Sequence, residues 1–158
     1  IAPAALGQTR RRSSRTPPAQ SSAQKVAAAR TAGATKVAEQ IKLMSKFIYL
    51  LGGVANGIAT VDEAVKKNEA SPAIVQANQQ SKAVVRKGFQ DFRESLDRLE
   101  TEFRSQPELQ PFYIKLAGSA AGAAKAEELA AAGQYDAGGR TLLTVINRLA
   151  DVLVVMRQ

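Results

Sequence analysis

The sequence predicts an all-α protein, an up-down-up-down antiparallel four-helix bundle over residues 35–158 preceded by an irregular basic N-terminal arm over 1–34. Three observations carry this expectation. Apolar residues recur at alternating steps of four and three, most clearly in Val85, Phe89, Phe92, Leu96, Leu99 and Phe103, which is the period of one helix face. With five Phe, three Tyr and no Trp, the core rests on Leu, Val, Ile and Ala, a composition that leans to helix. The breaks between periodic stretches are short, about two to five residues, which sets each helix antiparallel to the one before it.

Residues 1–24 are rich in Pro, Ser, Ala, Gln and Arg and have no apolar period, so they lack the surface to fold alone. The small residues of 1–7, Ile-Ala-Pro-Ala-Ala-Leu-Gly, resemble the end of an export signal. The expected location is therefore extracytoplasmic, in a periplasm or organelle lumen, and peripheral. An organellar transit peptide, likewise Arg- and Ser-rich, and a cytosolic tail are the alternatives. Charge is partitioned sharply: residues 1–38 hold Arg10, Arg11, Arg12, Arg15, Lys25, Arg30 and Lys36 and no acid, while the other 15 bases face all 14 acids. The net charge of +8 thus belongs almost entirely to the arm.

Helix 1 is expected over about 35–67, on the stripe Val37, Ile41, Met44, Ile48, Leu51, Ala55 and Ile58, continued by Val61 and Val65. Its interior glycines, Gly52, Gly53 and Gly57, each cost up to about 1 kcal/mol against Ala, so something must offset them. Ser71 and Pro72 form a natural helix start, cap then first position, for helix 2 over about 72–104. Helix 3 is expected over about 108–132, closed by Gly133. Helix 4, about 135–157, carries Tyr135, Leu142, Ile146, Leu149, Leu153 and Met156 on a stripe broadened by Leu143, Val145, Val152 and Val155. Helices 1 and 2 span roughly 50 Å and helices 3 and 4 roughly 35 Å, so the first hairpin is expected to overhang and to expose Val61, Val65, Ile74 and Val75 at its tip.

The chain has no Cys and no His. Disulfides, thiolate nucleophiles, zinc–thiolate sites, Ser-His-Asp triads, imidazole metal sites and Glu-x-x-His di-iron centres are all excluded from its own residues. Glu127 and Glu128 near Lys125, and Asp62 and Glu63 near Lys66 and Lys67, read as solvated helix faces with i,i+3 and i,i+4 pairing. No acid/base pair stands out, so no enzyme, metal or cofactor is expected.

The segment 127–145, EELAAAGQYDAGGRTLLTV, resembles the helical hairpin of a tetratricopeptide repeat, with Gly133, Tyr135 and Gly138 at the turn spacing and Ala126 at a small position of the first helix. It departs from that family in having Gly122 where an early aromatic stands, in lacking the closing Pro, and in occurring once, so a generic tight helical hairpin is the reading adopted. The plan of an irregular arm before a basic helical bundle is also similar, in architecture alone, to the lumenal extrinsic subunits of photosystem II.

Gly52, Gly53, Gly88, Gly118, Gly122, Gly138 and Gly139 fall at a similar height along the helices and are expected to form a narrow waist filled by Phe89 and Phe92. These readings converge on a non-enzymatic interaction protein, an accessory or structural subunit docked onto a larger protein assembly, membrane-bound assemblies included. The expected docking residues are Arg10, Arg11, Arg12, Arg15, Lys25 and Arg30 of the arm and Val61, Val65, Ile74 and Val75 of the tip, with no transmembrane span in this stretch. Two alternatives stand beside it: a polyanion- or nucleic-acid-binding protein using the arm, which lacks interleaved aromatics for base stacking, and a carrier of an apolar ligand or pigment in the glycine waist.

Overall fold

Serine side chains open the two long helices of this protein. In the computed structural model, which describes residues 21–158, Ser21 Oγ accepts from the Gln24 N–H at 3.3 Å while Gln24 Oε1 accepts from the Ser21 N–H at 2.9 Å. This reciprocal box starts α1, Ser22–Lys66. Ser71 Oγ in turn accepts from the Ile74 N–H at 3.4 Å, with Pro72 at the first position of α2, Pro72–Ser105. Three further helices follow: α3 (Gln110–Leu116), α4 (Ser119–Ala131) and α5 (Tyr135–Met156). The described residues are helical with short connections and contain no strand.

Two expected boundaries are corrected. The helix does not wait for residue 35: residues 22–34 belong to α1, and Lys25 and Arg30 are helical rather than part of an irregular arm. The remainder of the expected arm, 1–20, lies outside the described residues. The expected third helix is broken in two at Ala117 and Gly118, where Gly118 adopts φ +89°, a left-handed conformation that costs glycine little and other residues more. Arg148 of α5 holds the break by donating from Nη1 to the Ala117 carbonyl at 2.8 Å, and the buried Ser119 hydroxyl donates to the Leu116 carbonyl at 2.7 Å.

Four of the helix pairs, α1/α2, α2/α4, α4/α5 and α1/α5, are joined by contacts whose residue numbers run in opposite senses. Between α1 and α2, Lys36 meets Glu102, Phe47 meets Phe89 and Phe92, and Asp62 meets Asn78. Between α2 and α4, Arg93 pairs with Glu127 at 2.5 Å, and Glu100 reaches the Ala120 N–H. Between α4 and α5, Gly122 abuts Val145 and Gly138 abuts the Ala126 carbonyl; between α1 and α5, Leu51 abuts Gly139 and Arg30 reaches the last carbonyls of α5.

The core is the sum of the predicted stripes. Val37, Met44, Leu51 and Ile58 of α1 meet Phe89, Leu96 and Phe103 of α2, and Leu142, Leu149 and Val152 of α5, all buried. Phe47 stands edge-on to Phe89 and Phe92, with ring centroids 5.2 Å away in both cases. The waist is made by fewer glycines than expected. Gly88 admits the Phe47 ring, Gly122 admits Val145, Gly138 lets Phe89 and the Ala126 carbonyl to within 3.0 Å of where a Cβ would stand, and Gly139 admits Leu51. Gly52 and Gly53, counted toward the waist from their height alone, face open space, as does Gly57, and Gly118 serves the α3–α4 break instead.

Candidate docking surface on the first two helices

The core stripe of α1 leaves its neighbouring stripe uncovered. Stepping by four and three from Leu43, the chain places Leu43, Phe47, Leu50, Val54 and Gly57 along one flank of the helix. Phe47 turns into the space that Gly88 vacates and is half-buried, while Leu43, Leu50 and Val54 stay exposed. Across from them, α2 presents Ala77, Ser81 and Val84, the last 73% exposed. Phe47, Leu50 and Val54 of α1 and Ala77, Ser81 and Val84 of α2 line an open, largely apolar groove of about 500 Å³. Isolated surface leucines are ordinary, whereas a run of apolar groups along one groove is a candidate interaction surface.

The groove runs toward the hairpin tip that the sequence singled out. There Val65 and Ile74 are exposed and Val61 and Val75 half-buried. At that end Asp62 Oδ1 accepts from the buried Asn78 amide at 2.8 Å and from the Lys82 ammonium at 2.6 Å, latching the two helices together. The sequence reading missed Leu43, Leu50, Val54 and Val84. Their i,i+4 and i,i+3 spacing was legible, but only the packing of α2 against α1 decides which of two adjacent apolar stripes is covered.

The basic residues expected to bind a partner separate into three kinds. Arg10, Arg11, Arg12 and Arg15 lie outside the described residues. Lys25 is exposed on the first turns of α1. Arg30 is half-buried and already committed: Nε donates to the Met156 carbonyl, Nη2 to the Val155 carbonyl at 3.4 Å, and the guanidinium lies 5.4 Å from the centre of the Phe112 ring. It caps the C-terminus of α5, where a cation meets unpaired carbonyls and the negative end of the helix dipole.

A second concavity, about 740 Å³, lies between the α1–α2 tip and the α4–α5 turn and is lined by Asn56, Asp62, Lys82, Arg86, Tyr135 and Asp136. Its charges are largely spent on neighbours: Asp62 holds Lys82, and Asp136 holds Arg140 at 3.0 Å. The Tyr135 hydroxyl is buried and makes no hydrogen bond. Among the described residues no three His, Cys, Asp or Glu side chains come together as a metal-holding group. Two exposed lysines are held protonated beyond the usual range, Lys66 by its hydrogen bond to Glu63 and Lys87 by its hydrogen bond to Asp91.

By length and composition alone, one 18-residue stretch of α1 meets the minimum for crossing a membrane, a property it shares with core helices of soluble proteins. The turn at Gly133, with φ +79°, joins α4 and α5 as the hairpin spacing anticipated. No protein-family model, curated protein or solved structure matches this chain.

Proposed function

We propose that this chain is a non-enzymatic interaction protein, an accessory or structural subunit that docks onto a larger, membrane-associated assembly through its α1–α2 hairpin. Its architecture, on this reading, is an up-down-up-down four-helix bundle in which α3 and α4 together form a bent third helix. The opposite residue senses of the α1–α2, α2–α4, α4–α5 and α1–α5 contacts support that arrangement. The observation that carries the function is the uncovered apolar groove between Leu50 and Val54 on one side and Val84 on the other, with Leu43 exposed on the same flank of α1. Burying such a run recovers roughly 25 cal/mol per Å² of apolar surface, which a chain gains only by meeting a partner there. The basic residues of 1–20, continued by Lys25, supply long-range attraction toward an acidic surface. An extracytoplasmic location accords with the signal-like 1–7 segment.

The test is affinity capture from native membrane and soluble fractions with the full chain and with Leu50→Glu and Val84→Glu. Capture of a stoichiometric component that both substitutions abolish is the expected result. Equal recovery by all three proteins overturns the reading. Polyanion binding remains the second reading, favoured by the absence of any acid in residues 1–38. Arm-driven binding of that kind falls steeply between low and moderate salt and is lost on deleting residues 1–20. Ligand carriage in the waist is not proposed, because Phe89, Val145 and Leu51 fill the space beside Gly138, Gly122 and Gly139.

A further inference from the structure

Between Glu39 and Asp62, α1 contains no acidic residue. Within this interval two adjacent stripes face outward. One is the flank Leu43, Leu50, Val54 and Gly57, from which Phe47 alone turns inward toward Gly88; the other, at steps of four and three, is Lys42, Lys46, Tyr49 and Gly53. Tyr49 is 85% exposed, Leu43 54% and Leu50 53%. Of residues 41–58, Met44, Leu51 and Ile58 alone are buried. Gly53 and Gly57 have nothing within 4 Å of a notional Cβ, so the middle of this face is low and unobstructed.

We propose that this outer face of α1 rests on the surface of an anionic lipid bilayer, lying in the interface rather than crossing it. The proposal rests on the docking reading above and names what the hairpin meets. Crossing is precluded by the inner stripe, since Val37, Met44, Leu51 and Ile58 are packed against α2 and α5. What is left free is a strip about 23 Å long, at about 1.5 Å per residue from Lys42 to Gly57. Its chemistry is that of an interfacial helix: leucine and valine to enter the acyl boundary, a tyrosine with an apolar ring and a polar tip, and lysines whose stems lie along the apolar surface while their ammonium groups reach headgroup phosphates.

Charge selects lipid over a second copy of the chain. Two copies meeting through this face would bring Lys42 and Lys46 of each together with no acid on the interval to answer them, whereas an anionic headgroup layer answers both. Of the two flanking acids, Asp62 is turned to α2 and held by Asn78 and Lys82, and Glu39 lies one turn before the strip. On the neighbouring helix, α2 contributes no acid between Ser71 and Gln90, and Asp91 is paired with Lys87.

The experiment uses the full chain and flotation with vesicles of phosphatidylcholine alone or mixed with phosphatidylglycerol. Because the chain has no Trp, Tyr49→Trp installs a single reporter at the centre of the face. The expected result is flotation with the mixed vesicles only, accompanied by a blue shift of the Tyr49→Trp emission. Lys42→Gln with Lys46→Gln weakens partitioning roughly thirtyfold, from about fivefold per lysine near an anionic surface. Leu50→Glu abolishes it, with an unchanged far-ultraviolet circular dichroism spectrum showing that these exposed substitutions leave the fold intact. Flotation that Leu50→Glu leaves untouched, or that leaves the reporter emission unshifted, overturns the proposal by placing the contact elsewhere. Absence of vesicle binding alongside Leu50-dependent binding to native membranes that protease stripping removes also overturns it, while leaving the docking reading intact. Failure to bind either vesicles or native membranes removes both.

Discussion

Glu100 on α2 reaches the first turn of α4, where its Oε1 accepts a hydrogen bond from the Ala120 backbone N–H at 2.8 Å. The residue at the usual capping place is Gly118, which has no side chain to offer, so the start of α4 is capped by its neighbour. A carboxylate there also meets the positive end of the helix dipole. Glu100→Ala is expected to lower stability by about 1 kcal/mol, and Glu100→Gln, which keeps an acceptor but not the charge, by less. Thermal unfolding midpoints lowered by about 2–4 °C for the first variant check this. An unchanged midpoint for Glu100→Ala would show that the hydrogen bond adds nothing.

Two glycine substitutions should move stability in opposite directions. Gly118 needs its φ of +89°, and a Cβ there would collide with the Arg148 guanidinium that holds the α3–α4 break, so Gly118→Ala is expected to cost about 1–2 kcal/mol. Gly53 is an ordinary helical residue with open space around it, so Gly53→Ala is expected to gain about 0.5–1 kcal/mol. Chemical denaturation of both variants decides the matter; a loss for Gly53→Ala would mean that its face is covered.

Gly138→Ala tests the waist. A methyl group at that position stands 3.0 Å from the Ala126 carbonyl oxygen, which belongs to α4 backbone and cannot turn aside, and 3.0 Å from Phe89. The expected cost is about 1–3 kcal/mol, as for other insertions into a packed core. Phe89→Ala, which empties the same space, is expected to cost about 3–5 kcal/mol. If Gly138→Ala is neutral by denaturation, α4 and α5 do not approach as closely as described.

Arg30 is predicted to act on α5 rather than on a partner. Arg30→Ala removes the donors to the Met156 and Val155 carbonyls and the cation over Phe112, for a loss of about 1–2 kcal/mol. Amide exchange should accelerate in the last turn of α5 and stay unchanged in α2. Loss of partner binding with unaltered stability is the outcome that would restore Arg30 to the docking set.

Stability should be nearly flat between about pH 6 and 8, because the chain lacks His, the side chain whose ordinary pKa falls there. The lysines with displaced values, Lys66 and Lys87, are displaced upward by their carboxylate partners. A raised lysine contributes its full stabilisation below its unfolded value and loses it only as pH climbs through the folded one, so any effect of these exposed pairs appears in alkali. A steep change in unfolding midpoint across neutral pH would contradict this.

Where local chemistry sufficed, the elements were legible. The Ser71–Pro72 start places α2 correctly, and the turn glycine Gly133 separates α4 from α5 at the expected residue. The start of α1 was also written locally, as the Ser21–Gln24 box, but it is easily passed over because residues 22–34 are rich in Ala and have no strong apolar period. Other features have no local signature. The break at Gly118 depends on Arg148, a residue far along the chain; the fate of Arg30 depends on where α5 ends.

By itself, then, the sequence determined the helical class, most helix boundaries, the stripes that became the core, and the chemistries ruled out by the lack of Cys and His, because periodicity and composition act within a few turns of one helix. The tertiary structure alone decided which of two neighbouring apolar stripes on α1 is covered, which glycines meet a side chain and which face open space, and which basic residues are spent on caps. Those outcomes follow from the position of one helix against another, and adding a partner helix at one side of α1 rather than the other exchanges core for surface without changing a residue.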